Sequence, residues 1–155
     1  MSNNTDLRPG LVLALRIAAV LWVVWGLVHI LAGGMTLWND TSAAIAGIAD
    51  AIDPVSVARD YPAAAGAVVN QHGFNLLWIG VVTLLCAPLV WRGSKSAILL
   101  AALVGGLADL GYFLFLDLGG FVRFVPGTVM TIFSSAAIVL SFVALWKRGA
   151  ATPSS

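Results

Sequence analysis

The chain has 155 residues, enough for one domain, of which 60% are apolar and only 10% charged, with a mean hydropathy of +0.97. A soluble domain carries about 25% charged residues, so this chain cannot cover itself with polar surface, and disorder is excluded for the same reason. Its net charge of +1 comes from eight basic and seven acidic residues, every acid being Asp. Without a basic patch there is no case for a nucleic-acid partner. Cys86 stands alone, which rules out an intrachain disulfide or a cysteine metal cage. The composition is that of an integral membrane protein.

A hydrocarbon core about 30 Å thick needs roughly 20 apolar residues of helix. The first run to meet this is 17–38, with no Asp, Lys or Arg inside it. It resembles a signal peptide only superficially. The preceding residues are nearly neutral, and the run is longer than the roughly 7–15 residues of an h-region. It is therefore expected to stay in the mature protein.

Residues 39–72 form the one long connection, and 34 residues is too long for a structureless link. Thr41 or Ser42 can cap a short helix in which Ile45, Ile48 and Ile52 recur at helical spacing, with Asp50 and Asp53 pointing elsewhere. Asp53-Pro54 then ends it. This predicts a short helix lying in the outer interface. Pro62 suits a first helical position, so the second long helix can begin there and enter the membrane at Gly73.

The second span is 73–91, with Pro88 expected to bend it or loosen its inner end. A tight turn at 92–96 makes it an antiparallel neighbour of the third span, 97–116, which contains Asp109. A short link holding Asp117, Gly119-Gly120 and Arg123 leads to the fourth span, 124–146, which has no charge. Asp117 and Arg123 are expected to form an interfacial ion pair. The runs do not alternate as barrel strands do, and apolar spans must satisfy their own backbone as helices.

The expected fold is all-α: one membrane domain over 1–155, a bundle of four transmembrane helices arranged up-down-up-down. Placing both termini inside gathers six basic residues on the cytoplasmic side, Arg8, Arg16, Arg92, Lys95, Lys147 and Arg148, against Arg59 and Arg123 outside. Trp38, Trp91 and Trp146 mark span ends. Short inner loops and abundant Ala, Gly and Val suit a bacterial inner membrane. Gly26, Gly33, Gly73, Gly80, Gly105 and Gly106 read as helix-packing positions.

Polar residues inside the apolar layer carry whatever function there is. At about 1.5 Å per residue, His29, Asp109 and Ser134 each lie about 18 Å from the inner boundary. An acid, an imidazole and a hydroxyl from three helices thus share one level. Asn75 lies about 24 Å from that boundary and His72 near the outer surface, on one helix face. Tyr112 follows Asp109 by three residues.

Several chemistries fit. His29 and Asp109 can pair to move a proton to or from a lipophilic substrate, His29 as acid or base. Ser134 lacks the glycines of a nucleophile elbow. Haem or metal ligation by His29 and His72 is disfavoured, because the two lie close to 10 Å apart in depth. A purely structural role is the bland alternative, with His29 and Asp109 satisfying each other.

The favoured function is binding of a small lipophilic ligand in an outer-leaflet pocket lined by His29, His72, Asn75, Asp109, Tyr112 and Ser134. The alternative is a non-catalytic accessory subunit that docks its glycine faces and outer segment onto a larger membrane complex or forms a homo-oligomer.

Overall fold

The computed structural model describes residues 9–49 and 52–149 and is helical throughout its ordered elements. Arg8 and Asp50, used above for orientation and for a helix face, lie outside the described residues. Four long helices are apolar enough to cross a membrane, as expected for an integral membrane protein. They are α1 (Pro9–Trp38), α4 (Ala63–Trp91), α5 (Lys95–Tyr112) and α6 (Val129–Gly149). Between α1 and α4 come two short helices, α2 (Thr41–Ala49) and α3 (Pro54–Val57).

The helices exceed the apolar runs at several ends. Helix α1 starts eight residues before Ile17, and α4 starts ten before Gly73, right after Pro62. Pro88 does not end α4, which continues to Trp91. Pro88 lacks the N–H that would donate to the Leu84 carbonyl, and the helix carries that one missing bond in its last turns. The turn to α5 uses Gly93 at φ +75°, a left-handed conformation open to glycine, and Ser94 then caps α5 by accepting from Ala97 N. Beyond Tyr112, α5 widens into a π-helical stretch, Phe113–Asp117, and α6 is entered through a kink at Phe124–Thr128, where Val125 is extended (φ −115°, ψ 127°).

Three local expectations are corrected. The cap of α2 is Asp40, whose Oδ1 accepts from Ala43 N at 2.9 Å. Ser42 instead donates to the Val57 carbonyl at 2.9 Å, tying α2 to α3. Pro54 opens α3 rather than merely closing what precedes it, in keeping with its preset φ. The Asp117–Arg123 ion pair is also absent. Arg123 is exposed, whereas Asp117 turns inward and its Oδ1 accepts from Thr128 Oγ1 at 2.7 Å.

Helix α1 packs between α4 and α6, and α5 closes the ring from the diagonal position. The α1–α4 contact is made by an antiparallel glycine seam, with Gly26 opposite Gly80 and Gly33 opposite Gly73. A Cβ on Gly33 would sit 2.5 Å from the Gly73 carbonyl oxygen, and one on Gly80 would sit 2.6 Å from that of Gly26. Backbones this close leave room for no side chain, the packing device that substitutes for a hydrophobic drive in lipid.

Across the ring, the bundle centre is filled by tryptophan from α1. Trp22 and Trp25 are fully buried and meet edge to face, ring centroids 5.7 Å apart. Trp22 presses on Gly105 of α5, where a Cβ would meet the indole at 2.5 Å. The rest of the core is Leu15, Ala18, Ala19, Cys86, Ala87, Val90, Ala97, Ile98, Ala101, Ala137 and Ala144. All of these lie in the half of the bundle that holds Pro9 and Gly149. That half is solid, and the opposite half is not.

The seam yields a stability prediction. Gly33→Ala should destabilise the protein in detergent by about 1–3 kcal/mol, because the backbones must separate. Gly34→Ala, whose Cβ would meet nothing within 4 Å, should be neutral or stabilising by up to about 1 kcal/mol. Equal denaturation midpoints for the two variants would contradict the seam.

Candidate functional site

The open half of the bundle contains a cavity of about 440 Å³, within the roughly 300–1,000 Å³ common for small-molecule sites. Its wall is built by Val28, His29 and Ala32 from α1, Gly47 and Ile48 from α2, and His72, Asn75, Leu76 and Ile79 from α4. The α5 side supplies Asp109, Tyr112, Phe115 and Leu116, and the entry to α6 supplies Pro126, Gly127 and Met130. The kink before α6 therefore borders it, and so does the π-helical stretch. Such stretches displace side chains from the regular helical register and often accompany functional sites.

The polar floor is built from α1 and α5. Asp109 is buried, and its Oδ2 accepts a 2.7 Å hydrogen bond from Trp25 Nε1. The Ser134 hydroxyl also interacts with this carboxyl. Ser134 is itself buried, donates to the Thr131 carbonyl at 3.1 Å, and does not line the cavity. One turn along α1, the His29 ring stacks on the Trp25 indole, centroids 3.5 Å apart at 19°. Its Nδ1 donates to the Trp25 carbonyl at 2.8 Å. A carbonyl only accepts, so the proton of the neutral ring is on Nδ1 and Nε2 presents its lone pair. That Nε2 faces Asp109 Oδ1 at 3.9 Å.

The level shared by His29, Asp109 and Ser134 is therefore a real junction of three helices. His29 and Asp109 do not bond directly, however. The direct partner of Asp109 on α1 is Trp25, which the sequence reading passed over. Its helical offset from His29 is the signal that could have found it, since a residue four positions away lies on the same face.

The remaining candidates are on the walls. His72 and Asn75 both reach the cavity from α4, where Asn75 Oδ1 accepts from Trp78 Nε1 at 3.1 Å. Tyr112 comes from α5, and Gly127 leaves room for its hydroxyl, which lies 2.5 Å from where a Cβ would stand. Among the described residues no three His, Cys, Asp or Glu side chains come together as a metal site would require.

Chemically, the floor is an acid–base pair with one side open to an apolar chamber. His29 and Asp109 can hold, give or take a proton at Nε2 and Oδ1. Among the described residues no lysine or arginine lines the cavity, so they offer no fixed positive charge to an anion. Comparison with protein-family models, curated proteins and solved structures finds no match to this chain.

The Trp25–Asp109 bond can be tested by a double-mutant cycle. Trp25→Phe keeps most of the ring and removes the donor, leaving a buried carboxyl oxygen short of a partner. The expected loss is about 1–3 kcal/mol of stability in detergent. Asp109→Leu should then be less damaging in the Trp25→Phe background than in the parent protein. Strict additivity of the two changes would show that the bond contributes nothing.

Proposed function

We propose that this protein binds a small lipophilic molecule in the cavity between α1, α4, α5 and the entry to α6, with His29 and Asp109 as the polar centre. The observation that carries this reading is the pairing of apolar walls with two convergent polar atoms, Nε2 and Oδ1, at the floor. A structural role alone would be met by the Trp25 bond and a direct His29–Asp109 contact. Instead Nε2 and Oδ1 stand 3.9 Å apart on the wall of a chamber. If a reaction follows binding, His29 serves as its acid or base and Asp109 holds the complementary proton.

The same reading places the protein in a bacterial inner membrane with both termini in the cytoplasm. Arg16, Arg92, Lys95, Lys147 and Arg148 gather at the solid end, as the positive-inside tendency requires. The cavity then belongs to the outer leaflet. Helix α2, packed on α1 and α4 beside the cavity, lies along the outer interface. A reporter fused after residue 148 should be active on the cytoplasmic side, and activity on the outer side would overturn the orientation.

The accessory-subunit alternative docks through glycine faces and the outer segment. Gly26, Gly33, Gly73 and Gly80 are taken up by contacts within the chain, which leaves that reading the outer segment. Native mass spectrometry of protein released from mild detergent tests the ligand reading. The expected result is a discrete small bound mass, lost in folded His29→Ala and Asp109→Asn variants. A bare protein, or the same mass retained by both variants, would overturn it.

A further inference from the structure

The floor of the cavity restricts what the ligand can be, given that the cavity is a ligand site. Because Nδ1 donates to the Trp25 carbonyl, the neutral His29 ring offers only a lone pair at Nε2. Trp25 Nε1 occupies Asp109 Oδ2, so Oδ1 is the oxygen turned toward that lone pair. A lone pair facing an ionised carboxylate in an apolar layer is repulsive. One proton shared by the two groups, as neutral acid and imidazole or as carboxylate and imidazolium, relieves that repulsion and leaves the pair neutral.

Their separation of 3.9 Å is beyond the 2.7–3.2 Å range of a direct bond. It does fit one oxygen atom placed about 2.8 Å from each. Such an atom must accept from the member of the pair that carries the proton and donate to the one that does not. A hydroxyl does both. An ether or ketone oxygen only accepts, and leaves one buried partner unmet. A carboxylate or phosphate would enter a neutral site with no Lys or Arg among the described residues of its walls. An ammonium only donates, so it would force the pair to give up its proton.

We propose that the ligand is a neutral lipophile ending in a hydroxyl group, an aliphatic or phenolic alcohol, whose oxygen bridges His29 Nε2 and Asp109 Oδ1. Its apolar body lies along Val28, Ile79, Leu116 and Met130.

The test holds the tail constant and varies the head. Farnesol, farnesyl methyl ether, farnesoic acid and farnesylamine are titrated into the full chain in lipid nanodiscs, with binding read by native mass spectrometry. Farnesol should bind about tenfold or more tighter than each of the other three, the value of one satisfied buried polar contact. In Asp109→Leu the alcohol and its ether should become equal. Because the head-group series is run on the unmodified protein, a misfolded variant does not void it.

Four probes binding alike, or the acid or amine binding best, would overturn the hydroxyl assignment and leave the lipophile site standing. Binding of none of them would overturn both.

Discussion

A carboxyl group within an apolar membrane helix must find its partners inside the protein. Leaving Asp109 unsatisfied would add to an insertion cost already about 2.5–3.5 kcal/mol. Trp25 meets that need from the diagonally opposite helix, with a donor carried on a ring large enough to cross the bundle. Much else follows from this bond. It sets the rotation of α1 and α5 about their axes. It brings Trp22, three residues earlier, against Gly105, four residues before Asp109. It also fixes the indole on which His29 stacks.

The division of the bundle into a solid and an open half follows from where large and small residues fall. Near the termini, alanines on all four helices close around Leu15, Trp22, Val90 and Ile98. The Arg16 guanidinium lies 5.2 Å over the Trp91 ring, and Arg148 reaches the Gly93 carbonyl at 3.5 Å, so that end is also tied together by its basic residues. Toward the other end α1 and α4 stay in backbone contact at Gly33 and Gly73, while α5 and α6 depart from regular helix. The π-helical extension of α5 and the kinked entry to α6 form the wall that faces α1 and α4. The cavity lies between them, with Asp109 and His29 at its base.

Much of this was legible in the sequence. Continuous apolar runs make the spans unmistakable, because lipid enforces helix. The junction of His29, Asp109 and Ser134 could be read from the helical rise alone. Other features were hidden for definite physical reasons. Trp25 is counted as apolar, although its Nε1–H is an obligate donor when buried. The π-helical stretch and the kink before α6 have no hydrophobic period of their own, and Asp117 turns inward where an interfacial ion pair was expected. The cap of α2 fell one residue earlier than expected, on Asp40, since Asp, Ser and Thr compete for that role on nearly equal terms. Where the chain leaves regular helix, periodicity ceases to inform.

The central claim is that His29 and Asp109 form the base of a ligand chamber rather than a closed structural pair. The most direct measurement is an experimental structure of the protein in nanodiscs of its native lipids, at a resolution that shows the cavity. The account predicts continuous density from the chamber ending in an atom between His29 Nε2 and Asp109 Oδ1, with the Trp25–Asp109 bond intact. A chamber filled by its own side chains, with His29 bonded directly to Asp109, would contradict it.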